Sequence, residues 1–312
     1  MSETVDPIFL KRIIAIAAKP HHKLSDALAI YLRKNRGKDE RGLRNAARAM
    51  TRATDILGNP VLTDIKRADA RRVLDSMLGT GLKTASVKRY LDTVSAIFSV
   101  AILEFELDMR NPFSAMAIPN LLEDSRDIPS FTENELRQIA DAALSQKGEP
   151  GLVACMQIET GCRVREIALL RTEDLHLDAP IPYVDIKEHK EHGRRLKTGK
   201  SSERALPLLG VSLAAARLAY GATDGTGWLF PHIGKGNPQS TVNRWLVRTI
   251  GNGKSSHSAR HSMETRPILA KTDQRLIDTI LGHKTGGVGS VYFSGYSLAD
   301  LAEALARIAL PL

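Results

Sequence analysis

The sequence predicts a mainly α-helical protein of two domains, a helical N-terminal domain followed by a mixed α/β domain with a small antiparallel sheet. Three observations predict it. The first half repeats segments whose apolar residues recur three and four apart, the period of an amphipathic helix. A stretch rich in Pro, Asn, Asp and Ser, "MRNPFSAMAIPNLLEDSRDIPSFTENEL", then breaks the pattern as a linker does. Beyond it helices resume, interrupted once by short strand-like runs around a Gly-containing turn. The 312 residues suit two domains of about 100 to 200 residues each. The expected bounds are 1–118 for the first, 119–128 for the linker and 129–312 for the second.

In chain order, "LSDALAIYLRKN", "RGLRNAARAMTRATDIL", "RADARRVLDSML" and "SVKRYLDTVSAIFSVAILEFEL" read as the helices of the first domain. In the second of these, Arg41, Arg44, Arg48 and Arg52 fall within one arc, with Leu43, Ala47, Met50 and Leu57 opposite. That predicts one packed face and one cationic face with no acid in its arc. Lys88 and Arg89 in the fourth segment are two further candidate binding cations. After the linker, Thr132 and Glu135 form a capping-box pattern that opens a new helix. "YVDIKEH", "RRLKTGK" and "SSERALPL" read as short strands. The last segment, "SLADLAEALARIAL", carries Leu298, Leu301, Leu305 and Ile308 on one stripe, with Ser297 placed to cap its start.

Composition narrows the function. The net charge is +9, and residues 20 to 90 hold 16 Lys and Arg against 7 Asp and Glu, leaving 28 of each sign elsewhere. The surplus sits in one segment, the footprint of a module that neutralises phosphates. No apolar run approaches the ~20 residues of a membrane span, and the acidic start "MSETVDPIF" does not suit a secretion signal. Cys155 and Cys162 are too few for a disulfide framework or a cysteine metal site, which points to a reducing cytosol.

The segment "HSARH" sets His257, Arg260 and His261 on one helical face. Two imidazoles one turn apart suit zinc, but zinc needs three or four ligands, and the intervening guanidinium repels a cation. Glu264 is a weak further ligand. At this point an ordinary surface or core cluster and a grip for an anion both remain open.

Three more segments extend it: "TGCRVREIALLRTEDL", "KTGKSSERALPL" and "LGHKTGGVGSVYFSGY". In this order, with these residue types, the set resembles the tyrosine recombinase family, which includes phage and mobile-element integrases, over nearly the whole chain. The resemblance implies that Arg163 is the first catalytic arginine, in the T-G-x-R-x-x-E box, with Glu166 its supporting acid. It assigns the hairpin lysine to Lys197, with Lys200 as fallback. It maps H-x-x-R to His257 and Arg260, L-G-H to His283, and the nucleophile to Tyr292, nine residues further on. It implies a DNA strand transferase that uses neither metal nor cofactor. Its partner is double-stranded DNA, bound by a monomer or weak dimer that becomes a tetramer on paired sites. The terminal helix would dock on a neighbouring protomer; packing on its own domain is the alternative. The extra N-terminal domain that many integrases carry is expected to be absent or removed. A type IB topoisomerase, a catalytically silent DNA-binding regulator and a metal-dependent nuclease are the competing readings.

Some positions depart from the family's pattern. Pro267 is expected to kink its helix. Gly286, Gly287 and Gly289 loosen the approach to Tyr292 and leave Tyr296 as a competing nucleophile. "IKEHKEHGRR", with His189 and His192, reads as a charged hairpin edge that discourages aggregation, and Cys162 as a buried filler.

Overall fold

The structure is a computed structural model that describes residues 21–37, 40–125, 127–196, 199–283 and 295–311. It is mainly helical with one small sheet, as the sequence predicts. The chain divides into two compact units, the first ending at Arg126 and the second beginning at Asp127.

In the first unit, α1 (Leu24–Lys34), α2 (Glu40–Leu57), α3 (Arg67–Gly79) and α4 (Thr84–Glu104) enclose a core that includes Leu24, Met50, Val73, Leu91 and Phe98. The buried stripe of α2 is Ala46, Ala49, Met50 and Ala53, whereas Leu43, Ala47 and Leu57 stay half-buried. At 100° per residue this face is turned by roughly 60° from the expected one. The turn brings Arg52 to the edge of the core, where its guanidinium lies 4.8 Å over the Tyr90 ring. Arg41, Arg44 and Arg48 remain exposed. The ladder is not free of acids: Glu40, one turn before Arg44, pairs with it at 3.1 Å.

Residues 122–124, expected in the linker, are fastened to the start of α4. Asp124 accepts from the Thr84 N–H at 2.7 Å and from the Thr84 hydroxyl, Lys83 Nζ donates to the Asp124 carbonyl, and the Leu122 N–H donates to Thr84 Oγ1. A carboxylate forty residues away thus caps an N–H group that the helix itself leaves unpaired.

The second unit is built around α6 (Glu149–Thr160), whose residues Gly151 to Thr160 are all buried. A helix buried on every side needs neighbours on every side. They are α5 (Glu133–Gln146), α8 (Gly210–Gly221), α9 (Pro238–Ile250) and α10 (Ser256–Leu269). The Thr132–Glu135 capping box opens α5 as expected, the Glu135 carboxylate accepting the Thr132 N–H at 2.7 Å. Pro267 lies in the last turn of α10, which continues to Leu269.

The sheet comprises β1 (Leu175–His176), β2 (Tyr183–Ile186) and β3 (Arg204–Pro207), antiparallel in that order, with Val184 facing Leu175 on one side and Leu206 on the other. "YVDIKEH" and "SSERALPL" each contain a strand, and β1 was not expected. "RRLKTGK" forms no strand among its described residues. His189 and Arg194 instead close a single 3-10 turn, Lys190–His192, and Arg194 is drawn inward to Asp174.

α11 (Gln274–Leu281) and α12 (Leu298–Ala306) complete the unit. Ser297 caps α12 by accepting the Asp300 N–H, as expected. Its stripe packs on its own unit, against β3 and α11: Leu301, Leu305 and Leu310 are buried, with Ile308 half-buried beside them. Arg266 donates to the Ile308 carbonyl, and the buried Glu159 accepts the Leu310 N–H at 2.6 Å. In the single chain the terminal helix is therefore docked in cis.

Candidate active site

Each motif is placed by a local device. α6 ends at Gly161, which caps it in the left-handed region at φ +63°. The chain then turns at once into the short helix α7 (Val164–Ala168), with Arg163 as its N-cap. Glu166 holds that turn: its carboxylate accepts the Arg163 N–H at 3.0 Å and Arg163 Nη1 at 2.6 Å. Only 4% of the Glu166 side chain is exposed, against 26% for Arg163, so the acid lies behind and the cation in front.

Arg260, on α10, reaches across two motifs. Its Nη1 donates to the Gly161 carbonyl at 3.0 Å and its Nη2 to the Leu281 carbonyl at 2.6 Å. These lie two residues before Arg163 and two before His283, so one guanidinium gathers three boxes. Both motif glycines make room for this convergence. A Cβ on Gly161 would come within 2.5 Å of Leu281 Cδ2 and 2.9 Å of Met263 Cβ; one on Gly282 would come within 2.7 Å of Arg204 Nη1.

His283 follows the left-handed cap Gly282, its N–H donating to the Asp278 carbonyl at 2.8 Å. Its ring stands 3.6 Å from the Asp278 carboxylate and 4.0 Å from Glu264, which also faces His261 at 3.6 Å. His257 is exposed one turn before Arg260. Among the described residues no group of three or more His, Cys, Asp and Glu side chains is set to hold a metal ion. Lys197 and Tyr292 lie outside the described residues, as does the Lys200 side chain.

The electrostatics separate front from back. Burial pushes the Glu166 carboxyl up, but Arg204 and Arg163 outweigh it and hold the group below its ordinary value. Burial, and then the charge of Arg163, depress Arg260. The two cations thus repel each other, a repulsion that one shared anion would relieve. Burial, then its hydrogen bond to Asp273 at 3.0 Å, raise the Tyr296 phenol above its ordinary value. A hydroxyl already donating to a carboxylate resists becoming a phenolate, which weakens its claim as nucleophile.

Two groups escaped the sequence reading. Arg204, on β3, donates to Glu166 at 3.0 Å and is almost fully buried. Arg194 binds Asp174 at 2.5 Å and the Glu166 carbonyl at 3.0 Å, while His189 Nε2 meets Asp174 at 2.7 Å. His189 is buried against acids rather than displayed at an edge. The one sequence signal for Arg204 was its place between Glu203 and the short apolar run Ala205–Pro207.

On the first unit, Lys88 pairs with Asp92 at 2.7 Å, and Arg89 donates to Ser86 at 3.3 Å. With Tyr31 they border a groove of about 350 Å³.

Residues 129–295 match the phage integrase family. The chain belongs to that family, the tyrosine recombinases, enzymes of site-specific DNA recombination. The tyrosine recombinase XerA of Pyrococcus furiosus is 25% identical over 248 residues, spanning 77% of this chain and 79% of that protein. XerC of Staphylococcus carnosus is 26% identical over 231 residues, 71% and 75% of the two chains. Among solved structures, a lambda integrase dimer bound to a COC′ core site superposes with a TM-score of 0.66 at 20% identity, covering 93% of this chain and 81% of that one. The Tn1549 transposon integrase in complex with a circular intermediate DNA gives 0.65 at 17% identity, covering 92% and 99%. These two likenesses establish the fold. No described helix is long and apolar enough to cross a membrane.

Proposed function

We propose that the chain cuts and rejoins specific duplex sites through a 3′-phosphotyrosyl link on Tyr292. The observation that carries this reading is the meeting of Arg163 and Arg260 where Gly161 and Leu281 come together. A phosphodiester in displacement gathers negative charge on its nonbridging oxygens. Planar guanidinium forks match those oxygens and cannot lose their charge. Arg163 and Arg260 would clamp the phosphate and stabilise the five-coordinate transition state.

His257 and His283 add hydrogen bonds, His257 also moving the proton from the nucleophile. A tyrosine with its ordinary pKa of about 10 is mostly protonated at neutral pH, so the cationic cluster must favour its phenolate. Lys197 protonates the departing 5′-oxygen. The bond to tyrosine retains the energy of the bond broken, and a DNA 5′-hydroxyl reverses the step without ATP. The first unit, with Arg41, Arg44, Arg48, Lys88 and Arg89, holds the duplex. Assembly into a tetramer on paired sites is part of this reading, supported by the lambda integrase tetramer solved on a Holliday junction.

The test is incubation with a library of nicked half-sites, trapping covalent protein and sequencing the attached DNA. A defined sequence attached to wild-type protein, surviving EDTA and lost in Arg163→Ala, is expected. Trapping that requires a divalent metal, or none on any sequence, would overturn it.

A further inference from the structure

We propose that Arg204 is a positioning residue whose charge offsets Glu166, so that the Arg163–Glu166–Arg204 triad is net cationic toward the DNA phosphate. It touches no substrate. The inference rests on reading Arg163 as a phosphate clamp.

The Arg204 side chain is 6% exposed. Its Nε donates to the Ile280 carbonyl at 2.8 Å, Nη1 to the Ser202 carbonyl at 2.9 Å, and Nη2 to Glu166 Oε2 at 3.0 Å and Cys162 Sγ at 3.3 Å. One guanidinium thus joins strand β3, the box of Arg163 and the end of α11. Its plane occupies the space that Gly282 leaves by lacking a Cβ.

The charge count gives this arrangement a consequence. Glu166 offers one carboxylate to two cations, Oε1 to Arg163 and Oε2 to Arg204. Were Glu166 matched with Arg163 alone, the pair would be neutral and would meet a phosphate as a dipole. With Arg204 behind it the triad carries a net positive charge. Buried charges are screened far less than exposed ones, so this charge acts on an anion held at the half-exposed Arg163. Arg204 also stops Glu166 from drawing Arg163 backward. A buried triad that served the fold alone would show the relief of neutralising Glu166 in melting and not in cleavage by the folded protein, because losing Arg204 leaves a buried carboxylate under-compensated. A charge-offsetting role would show it in cleavage.

The experiment uses the full chain and a nicked half-site, measuring covalent complex formation, half-site affinity and thermal melting for Arg204→Met, Glu166→Gln, the double variant and Arg163→Ala. Arg204→Met is expected to slow cleavage about 100-fold, the scale of losing one transition-state donor, with half-site affinity within about 3-fold. The double variant is expected to cleave within about 5-fold of Glu166→Gln, because neutralising Glu166 removes what Arg204 offsets. The proposal is overturned if the double variant is as slow as Arg204→Met beside an active Glu166→Gln, if Arg204→Met cleaves like wild type, or if Glu166→Gln folds but is inert. Should Arg204→Met fail to fold, comparing the double variant with Glu166→Gln decides. A double variant that does not melt cooperatively, beside a folded Glu166→Gln, would assign Arg204 to the fold alone. Failure of the underlying reading shows separately, as wild-type cleavage by Arg163→Ala.

Discussion

Arg260 donates to the carbonyl oxygen of Leu281 at 2.6 Å, tying the helix of the second arginine to the loop that carries His283. With its bond to the Gly161 carbonyl, two of the five N–H donors of a guanidinium are used on the protein. Arg260 is thus both a structural bridge and a cation. Arg260→Lys keeps the charge but not the fork. It is expected to lower stability by about 1–3 kcal/mol, through carbonyls left unpaired, and cleavage by about 100-fold. Thermal melting and half-site trapping would show both; a variant that loses stability alone would remove Arg260 from the chemistry.

The glycine of the first box makes a packing prediction. Gly161 and Gly193 have similar backbones, φ +63° and φ +71°, but a Cβ on Gly161 meets Leu281 and Met263, while one on Gly193 meets nothing within 4 Å. Both Ala variants bear the cost of a left-handed residue, about 1 kcal/mol. Gly161→Ala is expected to lose a further 1–3 kcal/mol or so from overpacking. Equal losses in denaturant titrations would show that the boxes give way freely.

Glu159 predicts a pH dependence. Burial, opposed by the N–H donors of Leu310 and Ser212, raises its carboxyl above its ordinary 4.5. Between 4.5 and that raised value the folded state holds a proton that the unfolded chain has released, so stability falls as pH rises through the window. Glu166 and Asp174 are held low by their partners and act in the opposite sense, their contribution being lost as pH falls below the ordinary carboxylate range. Glu159→Gln should remove the first slope and leave the second. An unchanged profile above 4.5 would place the titration elsewhere.

The cations of α2 should divide by role. Arg41→Ala and Arg48→Ala are each expected to reduce the slope of log K against log salt by about 0.9 if each meets one phosphate. Arg52, stacked on Tyr90, is expected to cost stability and leave the slope nearly unchanged. A loss of slope in Arg52→Ala equal to that of Arg48→Ala would contradict this division.

These contrasts show where the sequence was readable. The capping residues Thr132 and Ser297 and the boxes around Arg163, Arg260 and His283 were legible because their chemistry is written within a few residues. The buried face of α2 was misplaced because three of its four residues are alanines, as is the half-buried Ala47, so apolar spacing alone left its rotation open. Arg204, Asp174 and Arg194 were missed because their partners lie 38, 20 and 28 residues away. The same holds for Thr84 and Asp124, which draw an apparent linker onto the first unit. The cis docking of α12 depends on Glu159 and Arg266, which lie more than a hundred and about forty residues from the N–H and the carbonyl that they respectively hold.

The most direct measurement is to trap the chain on a nicked half-site, digest the covalent complex and map the DNA-bearing peptide by mass spectrometry. Tyr292 is expected to carry the DNA through a 3′-phosphate, and Tyr292→Phe to bind the half-site but yield no covalent product. DNA found on Tyr296, or covalent product from Tyr292→Phe, would contradict it.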